Sequence, residues 1–252
     1  MAIRSSKPLP AMVFLILACC PSPASGALFV TLTESAPLES RQTEISQGFD
    51  ISRAGEGTNG VWTIDAQPTL DVGLGRGFQA GIGLPNLRTT ASERNVHLES
   101  CAVAGWVLAQ IAPGDDHRPG VSLCLGFERC EESEVGGLDL ILERRSGPWT
   151  MVGNFCGARE WARTEAGEIT DHLEFRYGLS RPVLGNLAAG FEAGWGWSAS
   201  GDSPLVHRST RVGPVLSFAG ASRWVTAGWL FDRSGQQDRE PSSVQVLLGT
   251  VF

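Results

Sequence analysis

The chain has 252 residues, of which 31 are glycine and eight are tryptophan, and 42% are hydrophobic. Its formal net charge is −7; Arg4 and Lys7, the only lysine, fall in the first 26 residues, leaving 18 cations against 27 carboxylates downstream. That balance argues against nucleic-acid binding, which needs basic surfaces, and no later stretch holds the ~18 uninterrupted apolar residues of a membrane-crossing helix.

Residues 1–26 read as a signal peptide and residues 27–252 as a single domain. Arg4 and Lys7 form a positive n-region, and Ala11 to Cys20 an apolar h-region. Ala24-Ser25-Gly26 is a small-x-small cleavage site, so the mature chain is expected to begin at Ala27. A lipoprotein alternative exists, with Cys19 following Ile16-Leu17-Ala18.

Beyond the leader, alternation with a period of two predicts strands. Thr43, Ile45, Phe49 and Ile51 share one face, opposite Glu44, Ser46 and Asp50. From Trp62 to Leu74 the even positions are mostly apolar and the odd ones mostly polar. About ten such residues at ~3.3 Å each, tilted ~45°, rise ~23 Å, the height of an outer-membrane apolar band. Phe78, Ala80, Ile82 and Leu84 continue the pattern, then His97 to Ile111 more ambiguously. Val121 to Phe127, Leu138 to Leu142 and Leu173 to Leu179 alternate cleanly, as does Leu187 to Trp197. Trp149 to Ala158 and Arg223 to Asp232 are less clear, and Val244 to Phe252 closes the chain on an aromatic residue.

About twelve strands result, and their connections alternate in character. Gly75-Arg76, 112–118, 146–148, 181–185 and 220–222 are mostly short, whereas 86–96, 159–171, 199–206 and 233–241 are longer and more polar. Short periplasmic turns and long outer loops follow if both termini are periplasmic. Trp62, Trp149, Trp195, Trp197, Trp224 and Trp229 fall near strand ends, as interfacial aromatic residues do. The expected fold is therefore all-β, a closed antiparallel transmembrane β-barrel in the cell outer membrane, its terminal Phe252 presented to the barrel-assembly machinery. A soluble sandwich or lipocalin-like barrel would need its apolar faces turned inward.

Leu32 to Ala36, Glu44 to Arg53 and Leu70 to Pro85 resemble the opening of a family of proteobacterial outer-membrane barrels, the transporters associated with the meta-cleavage pathway of phenol degradation. The resemblance implies a roughly twelve-stranded barrel and a role in uptake of small, often hydrophobic molecules.

Lumen-facing candidates are Asp65, Asp71, Glu99, Glu128, Asp139, Glu143, Glu174, Arg176, Glu192, Arg211 and Arg223. Such charges either set the selectivity of an open pore or pair across a narrow lumen and plug it. Carboxylates outnumber arginines, so an open pore should weakly prefer cations. The preferred function is passive passage of small solutes, gated by outer loops; the alternative is a non-conducting structural or surface-interaction barrel. No cofactor, metal or enzymatic activity is expected, and outer-membrane lipids and the assembly machinery are the expected partners. The sharpest enzymatic possibility is His207-Arg208-Ser209, a His-x-Ser pair of the kind lipid hydrolases use, with Glu192 or Asp202 orienting the ring. Parity places that pair toward the lumen, away from lipid. Cys101, Cys124, Cys130 and Cys156 allow three disulfide pairings. Gly73-Leu-Gly-Arg-Gly77 reads as a tight turn and not a phosphate cradle, since no helix follows.

Overall fold

A computed structural model describes residues 27, 29, 31–54, 61–85, 87–91, 96–100, 103–163, 167–201, 203–234 and 242–252. Its strands are β1 (Thr43–Ala54), β2 (Val61–Gly75), β3 (Phe78–Gly83), β4 (Leu87–Ala91), β5 (Val96–Ser100), β6 (Val103–Ala112), β7 (Gly120–Arg129), β8 (Ser133–Ser146), β9 (Trp149–Ala162), β10 (Ile169–Leu184), β11 (Leu187–Ser200), β12 (Val206–Ala219), β13 (Arg223–Ser234) and β14 (Ser242–Val251). All pairings are antiparallel. β1 pairs with both β2 and β14, which closes the sheet.

The wall has twelve positions. β3 and β4 pair with successive halves of β2 and fill one position between them. β6 and β5 do the same on the other side. Pro85, which has no N–H to donate, lies in the break between β3 and β4. The last closing contacts are reciprocal: Thr43 N–H donates to Phe252 O (3.2 Å) and Phe252 N–H to Thr43 O (2.8 Å).

The expected short connections all lie at this end. The tightest runs through Gly75, Arg76 and Gly77, with φ of 81°, 54° and 81°. Two left-handed glycines on either side of a left-handed Arg76 are what a turn this sharp needs, so the tight-turn reading of that glycine motif holds. At the opposite end the strands run longer than expected. Arg159 and Asp171, assigned to a loop by periodicity, are paired strand residues joined by a 2.6 Å ion pair. Leu87–Ala91, expected in a loop, likewise is a strand and pairs with Val96–Ser100, the start of the strand expected over 97–111. Beyond the apolar band both faces meet water, so alternation fades while the backbone ladder continues.

Every wall position presents a large apolar side chain outward, among them Ile45, Ile64, Ile82, Val107, Leu125, Leu138, Phe155, Leu173, Phe191, Leu216, Trp229 and Leu248. Phe155, Phe175 and Trp195 stack across three neighbouring strands, at 4.7 Å and 5.6 Å between centroids. A continuous apolar belt of this size would be strongly unfavourable in water, so the outer wall suits lipid. No described helix is long and apolar enough to cross a membrane; this wall crosses with strands. Trp62, Trp149, Trp195, Trp197 and Trp229 lie on the outer side, but Trp224 does not. It points inward, 4% exposed, and donates its indole N–H to Glu44 (3.1 Å).

Candidate functional site

The lumen is occupied toward its short-turn end by the chain's own N-terminal segment, of which residues 27, 29 and 31–42 are described. It leaves the wall at β1, where Arg41 N–H donates to Gly73 O and Gly73 N–H to Gln42 O. It then crosses the inside of the barrel as far as β12 and β13. There Ala27 O accepts Ser217 Oγ–H (2.9 Å) and the hydroxyl of Thr226.

Between these ends the segment has no strand beside it, so wall side chains satisfy its backbone. Glu192 Oε2 accepts both the N–H (3.1 Å) and the Oγ1–H (2.5 Å) of Thr31. With its amide oriented to satisfy both groups, Asn154 donates to Thr33 O (3.1 Å) and accepts Thr33 N–H (2.9 Å). Glu143 Oε2 accepts the N–H and the Oγ–H of Ser35, both at 3.0 Å. Thr31, Thr33 and Ser35 are thus served in turn by β11, β9 and β8, with the spacing of an extended chain. Arg176 Nη1 donates to Thr31 O (2.6 Å), Ser122 Oγ–H to Ser35 O (2.6 Å), and Leu38 N–H to Gln79 Oε1 (2.8 Å).

Apolar packing seals the same region. Phe29 and Leu32 are buried against Leu108, Ile141 and Val152, which point inward from β6, β8 and β9. Gly178 leaves the room for them: a Cβ there would lie 2.5 Å from both Leu32 Cδ1 and the Phe29 ring. The lumen is therefore not the uniformly polar channel that alternation implies.

The expected lumen residues divide accordingly. Glu143 and Glu192 anchor the segment. Asp71, 6% exposed, accepts Gln79 Nε2–H (2.9 Å) and Trp106 Nε1–H (2.8 Å). Asp65 pairs with Arg88 (2.7 Å), Glu174 with Arg176 (2.7 Å), and Arg211 more loosely with Asp232 (3.5 Å). Asp139 faces the lumen between Cys124 and Cys156 in the strand register. Arg223 is a correction. The inward positions of β13 are Trp224, Thr226, Gly228 and Leu230, so Arg223 is exposed on the other face at the short-turn rim. The side chain of Glu99 lies outside the described residues, as do the expected signal peptide with Cys19, Cys101, Asp202 and parts of the outer connections expected to gate the pore, 55–60, 86, 92–95, 164–166 and 235–241.

The His-x-Ser pair is not assembled. Gly196 opposes Ser209 but Trp197 opposes His207, so Arg208 is an extra residue in the ladder. Such a bulge reverses the faces on either side of it. His207 packs edge-on against Trp197 (5.9 Å) and reaches Thr210 Oγ1 (3.0 Å) on the outer face, whereas Ser209 lines a lumen cavity. Cys124 and Cys156 are thiols, held apart by β8. No group of three or more His, Cys, Asp or Glu side chains among the described residues is placed to hold a metal ion. In the turn between β6 and β7, N–H donors from His117 and Arg118 hold the Asp115 carboxyl below its ordinary range.

No protein-family model and no curated relative matches the sequence. Among solved structures, the chain is similar to an outer membrane channel of Pseudomonas putida F1, with a TM-score of 0.69 at 9% identity over 89% of this chain and 100% of that one. It is also similar to the β domain of the Bordetella autotransporter BrkA (TM-score 0.58, 10% identity, 85% and 100% covered). The translocator domain of the autotransporter NalP from Neisseria meningitidis gives 0.51 at 14% identity, over 85% and 90%. At these identities the likeness establishes the fold, an outer-membrane β-barrel.

Proposed function

We propose that the protein is exported by its leader, assembled into the outer membrane, and conducts small solutes passively, with the N-terminal segment rather than outer loops alone controlling the path. The observation that carries this reading is how the segment is held. Thr31, Thr33 and Ser35 bond to wall side chains and not to a neighbouring strand. Each such bond contributes ~0.5–1.5 kcal/mol, somewhat more where a carboxylate accepts. Because the barrel's own ladder is complete without the segment, release would leave the wall intact.

The likeness of residues 32–36, 44–53 and 70–85 to the phenol-pathway transporters supports a transport role, as does the architecture shared with the Pseudomonas channel. Asp139 and Glu128 form no ion pair among the described residues, and the Arg176 guanidinium near Asp139 is already paired with Glu174 (2.7 Å), which favours a weak cation preference. A second reading has the segment as a permanent plug in a non-conducting barrel, and the complete burial of Phe29 favours it. Planar-bilayer recording of the folded mature chain separates the two. Discrete conductance steps, weakly cation-selective, are expected. A silent membrane at all voltages would leave the structural reading, and clear anion preference would overturn the selectivity.

A further inference from the structure

Two cavities lie in the lumen, the first beside Thr33 of the N-terminal segment, and their net charges are opposite. The first, about 530 Å³, includes Thr33, Trp106, Cys124, Glu128, Asp139 and Arg176 in its lining. The second, about 340 Å³, includes His172, Glu174, Ser198, Arg208, Ser209 and Arg211. The ion pair of Glu174 and Arg176 (2.7 Å) lies between them, its guanidinium lining the first and its carboxylate the second.

That pair neutralises itself and leaves the remaining groups to set the field. In the first cavity Asp139 lies beside Cys156 and in the field of Arg176, whose ion-pair partner is Glu174, and Glu128 lies 3.6 Å from Cys130 Sγ, so the cavity keeps two carboxylates against one guanidinium. In the second, Arg208 Nε donates to Ser198 Oγ (2.8 Å) and meets no carboxylate among the described residues. Arg211 is only loosely engaged by Asp232 at 3.5 Å, while His172 contacts Glu160 at 3.2 Å. The strand register from Asp139 through Cys156, Glu174 and Gly196 to Ser209 spans four strand spacings, ~19 Å around the wall. The bore between the two patches is shorter. Low-dielectric walls concentrate such a transverse field.

A solute with one charge is drawn to one cavity and repelled by the other. We infer that the lumen selects small zwitterions, an ammonium group turned toward Asp139 and Glu128 and a carboxylate toward Arg208. The inference rests on the channel reading and names its solute class. Binding nevertheless tests it separately from conduction.

Saturation-transfer NMR on the detergent-folded full mature chain, with glycylglycine, acetylglycine, glycinamide and ribose as probes, reads it directly. Glycylglycine is expected to saturate at least about threefold more strongly than the singly charged probes, an advantage that salt erodes. Arg208→Glu, at an exposed position, and Asp139→Asn should each bring it down to their level. Equal saturation of all four probes, a lone preference for the anion or the cation, or variants that bind like wild type would overturn the inference. A silent bilayer alongside a zwitterion preference would instead sink the channel reading and leave the binding site.

Discussion

Glu192 and Thr31 lie 161 positions apart in sequence and share one carboxylate oxygen: Glu192 Oε2 accepts both the backbone N–H (3.1 Å) and the hydroxyl (2.5 Å) of Thr31. With Glu192 only 1% exposed, the wall has placed a buried acceptor where the lumen segment needs one. The charge is thus a structural partner of the segment, not part of a water-filled selectivity ring.

Glu192→Ala should loosen the segment without unfolding the barrel. An unsatisfied Thr31 N–H costs ~1–3 kcal/mol where water cannot replace the acceptor. The variant is expected to spend more time open in single-channel recordings while its heat-modifiable gel shift stays unchanged. An open probability equal to wild type would remove Glu192 as an anchor.

Gly178→Leu attacks the same contact sterically. No side chain fits between β10 and the buried Phe29 and Leu32 without displacing one of them. Limited proteolysis should cut the N-terminal segment faster in this variant, and Leu32→Ala in the same background should restore protection. Unchanged proteolysis would mean that the segment does not pack where described.

Much of this was legible in the sequence, for a physical reason. From Trp62 to Leu74 one face meets lipid and the other does not, and that contrast repeats along the chain. The plug was not legible. Asn154 and Gly178 look like ordinary inward positions, because their partners Thr33 and Phe29 lie more than a hundred residues away and belong to no strand. Glu143 and Glu192 were recognised as lumen residues, but their acceptor role needs the segment in place. Parity failed where a local event reset it. The extra Arg208 turned His207 outward, and at the wet short-turn rim Trp224 rather than Arg223 took the inward position.

Phe252 takes part in closing the wall. Its backbone exchanges two hydrogen bonds with Thr43 while its side chain stays 71% exposed. Phe252→Ala keeps the backbone bonds and removes only the ring. Detergent refolding should be retained and the yield of assembled barrel in cells should fall. Equal cellular yield would show that the terminal aromatic is not read during assembly.

The Asp115 turn carries a small pH dependence. Its carboxylate accepts the N–H groups of His117 and Arg118, both at 2.7 Å. These bonds favour the charged form, so the folded pKa is depressed. The stabilisation is present above the unfolded value of about 3.9 and is lost as pH falls through the lower folded value. The carboxyl carbon shift of Asp115 should titrate below an unstructured aspartate. A midpoint at or above the ordinary value would contradict the geometry.

In the proposed channel, residues 27, 29 and 31–38 lie in the conducting path. Deleting them, while keeping the wall contacts of Arg41 and Gln42 with Gly73, and recording single channels in a planar bilayer tests it most directly. A stable conductance larger than that of the full mature chain is predicted. A deletion variant that conducts no more than the intact chain would contradict it.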